Sequence, residues 1–525
     1  MNIPQFVIAA PTSGAGKTTV SCGLMALLRS KGMQVQPYKC GPDYIDTKYH
    51  QRACGRPSIN LDRFLAGDAH IHELYARYAQ GAEACVVEGM MGMYDGYLRD
   101  RGSSADVARL LRLPVVLVVD ARSAAYSMAP LLDGFLHFRT DVEVAGVIFN
   151  KVGSERHRLM LREVCEDLGV TCLGFVPRRK AMEQESRYLG LDFSRPSRLG
   201  GDLLALLEEN VDWRLLLERT SRPRPVTPSE ATSTAPGGAE HAPDGQSPVA
   251  DYGLSRPLEI FVARNDEAFS FIYQEHLDRL AQWGKVTFFD PEADELIPDR
   301  VDLLYLPGGY PEKHAGALSR ARRTLLFIRD HIARGGRTLA ECGGMIYLSQ
   351  GIRFDEMAPS HGLHEPMARV LPFSISCMRA HRQLSLGYRQ LTYGGQRLTG
   401  HEFHYTQFCP EEDVNSGLTL GNLGNNPVSL GLGKGLVKAG SFVKASGQMV
   451  ADSLGKVGAL GKAGGMATEW NYAPLCTEPL STVAQVYDAR GEAVATPIFR
   501  YKNTLASYTH LYWGEADLMR LFDGR

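Results

Sequence analysis

The stretch Pro11-Thr12-Ser13-Gly14-Ala15-Gly16-Lys17-Thr18-Thr19 decides the fold of the first half of this chain. An apolar run over residues 6–10 precedes it, and apolar residues at helical spacing follow it over residues 20–28. This order predicts a strand, a glycine-rich turn and a helix. The first N–H groups of such a helix, together with the positive end of its dipole, hold an anion at the turn.

The residues of this turn predict what the anion is. Gly14 and Gly16 allow the backbone to wrap closely around phosphate oxygens. Lys17 can reach the β- and γ-phosphates of a nucleotide, and the Thr18 hydroxyl can ligate Mg²⁺. Pro11 stands where the usual G-x-x-x-x-G-K-[ST] motif has its first glycine. An ordinary glycine turn is the alternative, but the Gly-x-Gly-Lys-Thr-Thr order favours a nucleoside triphosphate site.

Composition and charge place the chain among soluble globular proteins of two or three domains. Its 525 residues are 44% hydrophobic and 22% charged, and they are too many for one core. A net charge of −2 gives no electrostatic reason to expect nucleic acid as a partner. The ten cysteines contain no Cys-x-x-Cys pair, which argues against a disulfide framework and a structural zinc site. Without a signal peptide or an apolar stretch of about 20 residues, we expect a cytoplasmic protein that does not enter a membrane.

Acidic residues follow two predicted strands of the first half. Asp43 and Asp46 lie in a Gly-Pro turn after a short strand at 35–39, and Glu88 ends the apolar strand 84–88. In an open α/β sheet, ligands bind at the carboxyl edge of the strands. A carboxylate opposite a phosphate loop is in a position to hold Mg²⁺ directly or through water. A solvated loop explains the two aspartates equally well, and a helix cap or turn is the alternative for Glu88.

The chain divides into two α/β domains with a linker between them. Near-continuous apolar runs at 114–120 and 144–150, with helical patterns between the strands, are typical of a parallel sheet covered on both faces. We expect the first domain to cover residues 1–220. Residues 221–256 are rich in Pro, Ser, Thr, Ala and Gly, which predicts a flexible linker. A second α/β domain covers residues 257–525.

The second domain carries a cysteine at a turn between a predicted strand and a predicted helix, within residues 337–348. Small residues flank Cys342, as the crowded backbone of such an elbow requires. We expect the helix dipole and the neighbouring N–H groups to lower the pKa of this thiol, so that its thiolate is a nucleophile. The N–H groups of Gly343 and Gly309 would form an oxyanion hole. A buried, inert side chain is the alternative, and we prefer it for the other cysteines.

A thiolate nucleophile needs a base, and three histidines are candidates. His401 and His404 lie in Gly400-His401-Glu402-Phe403-His404-Tyr405, which is predicted to be extended, and His510 follows near the end of the chain. A zinc protease motif would need two histidines four apart on a helix, so this segment is not one. Spacing alone does not choose among the three histidines, and two histidines three apart are also compatible with surface residues.

Residues 415–466 have an unusual composition. Glycine recurs every few positions among Leu, Val, Ala and lysine, and Asp452 is the only acidic residue. We expect a mobile glycine-rich insertion on the surface. The alternative is a cationic lid that closes over a polyanionic substrate.

Taken together, these motifs resemble those of the cobyrinic acid a,c-diamide synthases, glutamine-dependent amidotransferases of tetrapyrrole biosynthesis. The resemblance covers nearly the whole chain outside the linker and the insertion. It rests on Gly14-Ala15-Gly16-Lys17-Thr18, Lys39-Cys40-Gly41-Pro42-Asp43-Tyr44-Ile45-Asp46, Glu88-Gly89-Met90-Met91-Gly92-Met93-Tyr94-Asp95-Gly96, Ala268-Phe269-Ser270-Phe271, Pro307-Gly308-Gly309-Tyr310-Pro311-Glu312, Glu341-Cys342-Gly343-Gly344-Met345, Gly400-His401-Glu402-Phe403-His404-Tyr405 and Ala506-Ser507-Tyr508-Thr509-His510. It implies a P-loop NTPase-type parallel sheet domain followed by a class I glutamine amidotransferase domain of the flavodoxin-like α/β type.

The resemblance also implies a reaction and its residues. Cys342 would attack the amide of glutamine, with His510 as its base, and release ammonia that is kept from water. ATP would phosphorylate the a and c acetate carboxylates of cobyrinic acid, and ammonia would displace the phosphate. The residues that bind ATP would be Gly14, Ala15, Gly16, Lys17, Thr18 and Thr19. Those that handle Mg²⁺ and phosphoryl transfer would be Asp43, Asp46, Glu88 and Asp95, with Thr18, Asp43 and Glu88 as metal ligands. Tyr44 and Ile45 match positions tied to the substrate.

Two departures from the family pattern leave the substrate open. Tyr512 stands where most class I glutaminases carry a glutamate two residues after the catalytic histidine, and the 415–466 insertion is foreign to the family. The alternatives to cobyrinic acid are siroheme and sirohydrochlorin, with or without nickel. The expected partners are glutamine, an anionic tetrapyrrole and a second copy of the chain in a homodimer. A non-catalytic P-loop switch protein and a dethiobiotin-synthetase-like carboxylase are alternatives of other classes, but Cys342 in its elbow fits neither.

Overall fold

The computed structural model describes residues 2–178, 199–226, 256–409 and 473–522, apart from positions 296, 299, 479 and 481. These residues fall into two compact units, the first built from the first two ranges and the second from the last two. The predicted insertion at 415–466 and most of the predicted linker lie outside the described residues.

The first unit alternates strands and helices along the chain. Its strands are β1 (Asn2–Ala9), β2 (Val35–Cys40), β3 (Ile59–Leu61), β4 (Ala84–Glu88), β5 (Val115–Asp120), β6 (Val144–Val152), β7 (Cys172–Pro177) and β8 (Ser221–Pro223). Its helices are α1 (Lys17–Ser30), α2 (Asp46–Cys54), α3 (Asp68–Tyr78), α4 (Ser104–Leu111), α5 (Met128–His137), α6 (Glu155–Asp167), α7 (Leu199–Asn210) and α8 (Trp213–Arg219).

Strands β1 to β7 form one parallel sheet in the order β3-β2-β4-β1-β5-β6-β7. The central strands are buried along almost their whole length, as their continuous apolar sequences predicted. The expected parallel α/β fold is therefore confirmed. Because all seven strands run the same way, the segments that follow β1, β2 and β4 emerge at one edge of the sheet.

The first unit extends beyond the boundary that the sequence suggested. Strand β8 pairs antiparallel with the start of β1, where Arg222 lies opposite Ile3. The Gln5 side chain strengthens this pairing, because its amide donates to the Pro223 carbonyl oxygen at 2.8 Å. Residues 221–223 thus belong to the sheet domain, although we expected a linker from residue 221.

The second unit is also mixed α/β. Its strands are β9 (Leu258–Ala263), β10 (Gly284–Phe289), β11 (Leu303–Leu306), β12 (Arg337–Glu341), β13 (Gly351–Arg353), β14 (His364–Pro366), β15 (Ile375–Ser376), β16 (Ser385–Tyr393), β17 (Gln396–His404), β18 (Gln407–Phe408), β19 (Val486–Tyr487), β20 (Ala493–Val494), β21 (Ile498–Tyr501), β22 (Thr504–Ser507) and β23 (His510–Tyr512). Its α-helices are α9 (Gln274–Trp283), α10 (Ala315–Arg320), α11 (Arg322–Ala333) and α12 (Gly343–Leu348).

Three sheets organise these strands. The six-stranded sheet has the order β10-β9-β11-β12-β22-β21, and only β21 runs antiparallel to its neighbour. A five-stranded sheet, β20-β19-β16-β17-β23, and a four-stranded sheet, β14-β13-β15-β18, complete the unit. Within the parts of the chain that the structure describes, no helix is long and apolar enough to cross a membrane.

Two helical glycines of the first unit provide a matched test of its packing. A Cβ atom on Gly23 in α1 would lie 2.6 Å from Leu207 Cδ1 and 3.0 Å from Leu203 Cγ of α7, whereas a Cβ on Gly134 in α5 would meet nothing within 4 Å. We expect Gly23→Ala to lower the free energy of unfolding by about 1–3 kcal/mol through overpacking. We expect Gly134→Ala to raise it by about 0.5–1 kcal/mol, because alanine favours a helix.

Chemical denaturation of the two variants beside the wild type measures both changes. Equal effects of the two substitutions would contradict the close α1–α7 packing as the reason for glycine at position 23.

Candidate functional site

The turn after β1 has the geometry of a phosphate loop. Gly14 and Gly16 have φ angles of +78° and +100°, which a residue with a side chain rarely adopts, and α1 begins directly afterwards at Lys17. A Cβ on Gly16 would lie 2.1 Å from Nδ2 of Asn150, the atom that donates to the Ala15 carbonyl oxygen at 2.8 Å. Glycine at position 16 therefore allows the end of β6 to support the loop from beneath.

A lysine also supports this loop from the end of β6. Lys151 donates from Nζ to the Gly14 carbonyl oxygen at 2.9 Å and forms an ion pair with Asp120 at 2.8 Å. Lys151 has a φ angle of +63°, so the chain turns sharply at this point. Two carbonyl groups of the loop, those of Gly14 and Ala15, thus accept hydrogen bonds from side chains at the end of β6.

Lys17 and Thr18 bring the start of α1 to the end of β4. Lys17 Nζ donates to the Met91 carbonyl oxygen at 2.5 Å, and Thr18 Oγ1 lies 2.7 Å from Glu88 Oε1 and 3.4 Å from Asp46 Oδ2. Burial and the nearby charge of Lys39 lower the pKa of Lys17 to about 8. A bound anion would reverse this effect, because it would favour the charged ammonium.

Lys39, at the end of β2, is the central cation of the site. It is only 2% exposed, and its Nζ lies 3.2 Å from Asp46, 3.6 Å from Glu88 and 3.8 Å from Asp43. Burial disfavours its charge, but these carboxylates outweigh burial and raise the pKa of Lys39 above its usual range. One buried ammonium therefore holds three carboxylates at the carboxyl edge of the sheet.

Glu88 is fixed from its other side by a histidine. His50 Nε2 lies 2.6 Å from Glu88 Oε2, and His50 Nδ1 lies 2.9 Å from Ser58 Oγ. Burial alone would raise the pKa of Glu88, but Lys39 and the His50 hydrogen bond hold it well below the usual range. Glu88 is therefore an ionised carboxylate with a fixed orientation.

The remaining predicted residues of the first site lie around this cluster. Asp43 Oδ1 accepts from the backbone N–H groups of Ile45 and Asp46 at 2.8 and 2.9 Å, and Asp95 Oδ2 accepts from Gly92 N–H at 2.9 Å. Tyr44 is buried and Ile45 is half-buried. Asp43 and Asp95 thus shape their own loops, while Asp46 and Glu88 converge on the Thr18 hydroxyl.

The oxygen atoms around Thr18 are compatible with Mg²⁺. This ion prefers oxygen ligands and is usually held by one or two carboxylates together with water and substrate phosphates. Within the described ranges, no group of three or more His, Cys, Asp or Glu side chains is arranged to hold a metal by itself. The Thr18 hydroxyl, Glu88 and Asp46 fit an ion that takes its other ligands from a nucleotide.

Cys342 lies at the turn between β12 and α12, as the sequence predicted. Its φ and ψ angles are 48° and −105°, so it occupies a strained conformation for a residue with a side chain. A Cβ on the following Gly344 would lie 1.9 Å from the Leu306 carbonyl oxygen, which explains the small residue there. The Cys342 N–H donates to the Ser507 carbonyl oxygen at 2.7 Å and fixes the turn against β22.

The two predicted oxyanion glycines meet beside the sulfur atom. A Cβ on Gly343 would lie 2.9 Å from the backbone nitrogen of Gly309, and the N–H groups of both residues stabilise the charged form of the Cys342 thiol. Burial and the Glu312 carboxylate nevertheless outweigh them, and the pKa of Cys342 is raised. The expectation of a lowered thiol pKa was wrong, because the cysteine is completely enclosed rather than partly exposed.

The structure separates the three candidate histidines. His404 uses both ring nitrogens, at 2.8 Å from Glu402 Oε1 and at 2.7 Å from the Thr406 carbonyl oxygen. His401 packs its ring against Tyr388 at a centroid distance of 5.8 Å. His510 lies over the oxyanion loop, because a Cβ on Gly308 would come within 2.1 Å of its Cε1 atom. This placement favours His510 as the base, and burial with His401 and His404 nearby lowers its pKa to about 3.

A polar network that sequence reasoning missed lies beside Cys342. Glu402 accepts from Arg389 Nε at 2.6 Å and from Thr496 Oγ1 at 2.7 Å, and it also contacts His404. Burial opposes its charge, but the His404 hydrogen bond and Arg389 lower the pKa of Glu402 to about 2. The Cys342 sulfur lies 3.9 Å from the carbonyl oxygen of Phe403, so this network supports the strand that borders the thiol.

The position that departs from the family pattern has a carboxylate partner of its own. Tyr512 donates its hydroxyl to Oε2 of the buried Glu275 at 2.5 Å. The next residue, Trp513, stacks on His276 at a centroid distance of 3.7 Å. Helix α9 thus anchors the end of β23, the strand that carries His510.

Of the residues that sequence reasoning missed, His50 had a detectable signal. It follows Asp46 by four positions, and in the structure both residues lie on one face of α2. Lys39 lies inside a recognised motif but was given no role. Arg389 and Glu402 lie on adjacent strands, and their contact depends on a register that the sequence does not reveal.

The carboxyl group of Glu341, the residue before Cys342, should make the stability of the fold depend on pH. Its carboxyl group accepts hydrogen bonds from the Tyr305 hydroxyl at 2.7 Å and from the Leu511 N–H at 3.0 Å. Burial raises the pKa of Glu341 to about 8. Between the ordinary carboxyl pKa and pH 8, the unfolded state is ionised while the folded state keeps the proton, so stability falls as the pH rises. Glutamine keeps the shape and cannot ionise.

We therefore expect Glu341→Gln to gain stability relative to the wild type as the pH rises from 5 to 8, by about 2–4 kcal/mol at the upper end. Thermal unfolding midpoints across this range measure the difference, and Glu492→Gln at an exposed turn is the control. Parallel pH curves for the wild type and Glu341→Gln would show that Glu341 is not protonated in the folded protein.

Comparison with known proteins places both sites in one family. Residues 6–190 match the CobQ/CobB/MinD/ParA nucleotide binding domain, and residues 259–446 match the CobB/CobQ-like glutamine amidotransferase domain. Hydrogenobyrinate a,c-diamide synthase from Brucella suis is 40% identical over 436 residues, which are 80% of this chain and 94% of that protein. Cobyrinate a,c-diamide synthase from Caldanaerobacter subterraneus is 36% identical over 415 residues, 77% of this chain and 86% of that protein. The chain therefore belongs to the family of the cobyrinate and hydrogenobyrinate a,c-diamide synthases.

Proposed function

We propose that this protein uses ATP and glutamine to convert the a and c acetate carboxylates of cobyrinic acid into carboxamides. The observation that carries the proposal is the 40% identity to a hydrogenobyrinate a,c-diamide synthase over 94% of that protein's length. The phosphate loop and the cysteine elbow support the same reaction, because it needs both an activated carboxylate and a source of ammonia.

The first unit would activate the carboxylate. A carboxylate resists attack until one of its oxygens becomes a leaving group, and transfer of the γ-phosphoryl group of ATP to that oxygen provides one. The N–H groups from Gly14 to Thr19 and the Lys17 ammonium would hold the phosphates. Mg²⁺, held by Thr18 and Glu88 with Asp43 and Asp46 beside them, would neutralise phosphate charge. Tyr44 and Ile45, with Asp95, would contribute to substrate binding and phosphoryl transfer.

The second unit would release the ammonia. Since burial raises the pKa of Cys342 and lowers that of His510, both groups are neutral at rest, and the thiol proton moves to His510 as the sulfur attacks the glutamine amide. The N–H groups of Gly309 and Gly343 would stabilise the oxyanion. His510 would then protonate the departing nitrogen, and water would release glutamate from the thioester.

A mass measurement tests the proposal. Cobyrinic acid, hydrogenobyrinic acid, sirohydrochlorin and siroheme are each incubated with ATP, Mg²⁺ and glutamine. Each amidation replaces a hydroxyl group by an amino group, which lowers the mass by about one unit and removes one negative charge at neutral pH. We expect two such steps on a corrin, dependent on both ATP and glutamine. Amidation of siroheme alone would identify siroheme as the substrate in place of a corrin. An unchanged mass for all four compounds would contradict the substrate class.

If Cys342 is the nucleophile, its substitution should abolish amidation with glutamine but not amidation with ammonia. Because Cys342 is needed only to release ammonia, we expect Cys342→Ala to lose glutamine-dependent amidation by at least about 10³-fold while keeping amidation with ammonium chloride. Amide formation with each donor measures the split. Cys409→Ala, at a half-buried cysteine of the same unit, is the control and should retain both activities. Full glutamine-dependent activity in Cys342→Ala would exclude this cysteine as the nucleophile.

A further inference from the structure

Glu312 lies on the loop that forms one wall of the cysteine site. It occupies a short 3-10 helix, Pro311–Lys313, that follows the oxyanion glycine Gly309. A Cβ on Gly343 would lie 2.9 Å from Cδ of Pro311, so this loop packs directly on the residue after Cys342. The Glu312 carboxylate lies close enough to Cys342 and Tyr508 for its charge to raise the pKa of both groups.

The carboxylate of Glu312 is buried in an unusual way. The residue as a whole is half-buried, but its Oε2 atom is shielded from solvent and has no hydrogen-bond partner within the described residues. Native proteins seldom leave a buried polar atom unpaired. Burial also raises the pKa of Glu312, and it outweighs the opposite effects of its own backbone N–H and of the Lys313, Arg382 and His314 charges. These features indicate a group that completes its bonding with a ligand.

The cations near Glu312 have other partners. His314 contacts Glu267 at 3.2 Å and Glu292 at 3.0 Å, one through each ring nitrogen. The Lys313 ammonium lies over the Tyr310 ring at 4.4 Å. The Nε atom of Arg382 donates to the Cys377 carbonyl oxygen at 3.2 Å. Within the described residues, none of these cations donates a hydrogen bond to Oε2, so this atom is available to a positively charged donor of a bound substrate.

We propose that Glu312 binds the α-ammonium group of glutamine and makes the site selective for the free amino acid. The inference rests on the proposed function, in which Cys342 attacks the side-chain amide of glutamine. An ammonium can donate a charge-assisted hydrogen bond to a carboxylate, and such bonds are about twice as strong as neutral ones. Glutamine with its ammonium on Glu312 would have its polar backbone end anchored on the loop that also presents the Gly309 N–H.

The test compares glutamine with glutaramate, the same molecule without its α-amino group. We expect the wild type to prefer glutamine, and Glu312→Gln to lower kcat/KM for glutamine by roughly 10- to 100-fold. The same substitution should change kcat/KM for glutaramate by no more than about threefold, because that substrate has no ammonium to lose. Ammonia release measures both activities, and Glu492→Gln is the control at an exposed turn.

The selectivity ratio separates binding of the ammonium from a structural role. An equal loss for both substrates, or no loss for either, would overturn the inference. Should Glu312→Gln fail to fold, Glu312→Asp keeps the charge on a shorter side chain and should retain a preference for glutamine that Glu312→Ala lacks. A wild type that uses both substrates equally would overturn this inference alone, whereas a wild type that releases no ammonia from glutamine would overturn the proposed function as well.

Discussion

The buried ammonium of Lys39 is the interaction on which the first site depends. Three carboxylates approach within 4 Å of it at the carboxyl edge of a parallel sheet, where mutual repulsion would otherwise separate them. Removing one partner from a buried ion pair is strongly destabilising, since the remaining charge stays buried without compensation. Lys39 therefore allows Glu88 and Asp46 to remain beside the Thr18 hydroxyl, and His50 fixes the orientation of Glu88. Two carboxylates, Asp46 and Glu88, are therefore held beside the start of α1, next to the phosphate loop.

The second site depends on a backbone constraint instead. Cys342 has a φ angle of +48°, and the crowded backbone after it accommodates only glycine at positions 343 and 344. Burial raises the pKa of the Cys342 thiol and lowers that of His510, which favours the neutral form of both groups. In the proposed reaction, such a thiol would be activated only when the substrate occupies the enclosed space, and burial would protect it from oxidation at other times. The Glu402 network fixes the strand that closes this space.

The sequence predicted the fold where hydrophobic pattern alone determines structure. The continuous apolar runs of β4 and β5 predicted covered strands, and Gly14 and Gly16 predicted the turn between β1 and α1. Cys342 and Gly309 could be paired because each follows a strand of one sheet. The state of the thiol could not be predicted, since its pKa depends on burial and on Glu312 from another loop. Contacts such as Arg389–Glu402 also remained hidden, because they depend on strand register.

In the proposed reaction, the two sites together replace a carboxylate oxygen by nitrogen through a phosphorylated carboxylate. Corrin substrate labelled with ¹⁸O in its carboxylates reports on this step. Each amide formed should transfer one ¹⁸O atom to inorganic phosphate, with ADP as the other product, because the leaving oxygen comes from the carboxylate. Mass analysis of the phosphate gives the count. Unlabelled phosphate, or label found in AMP, would contradict phosphorylation of the carboxylate as the activating step.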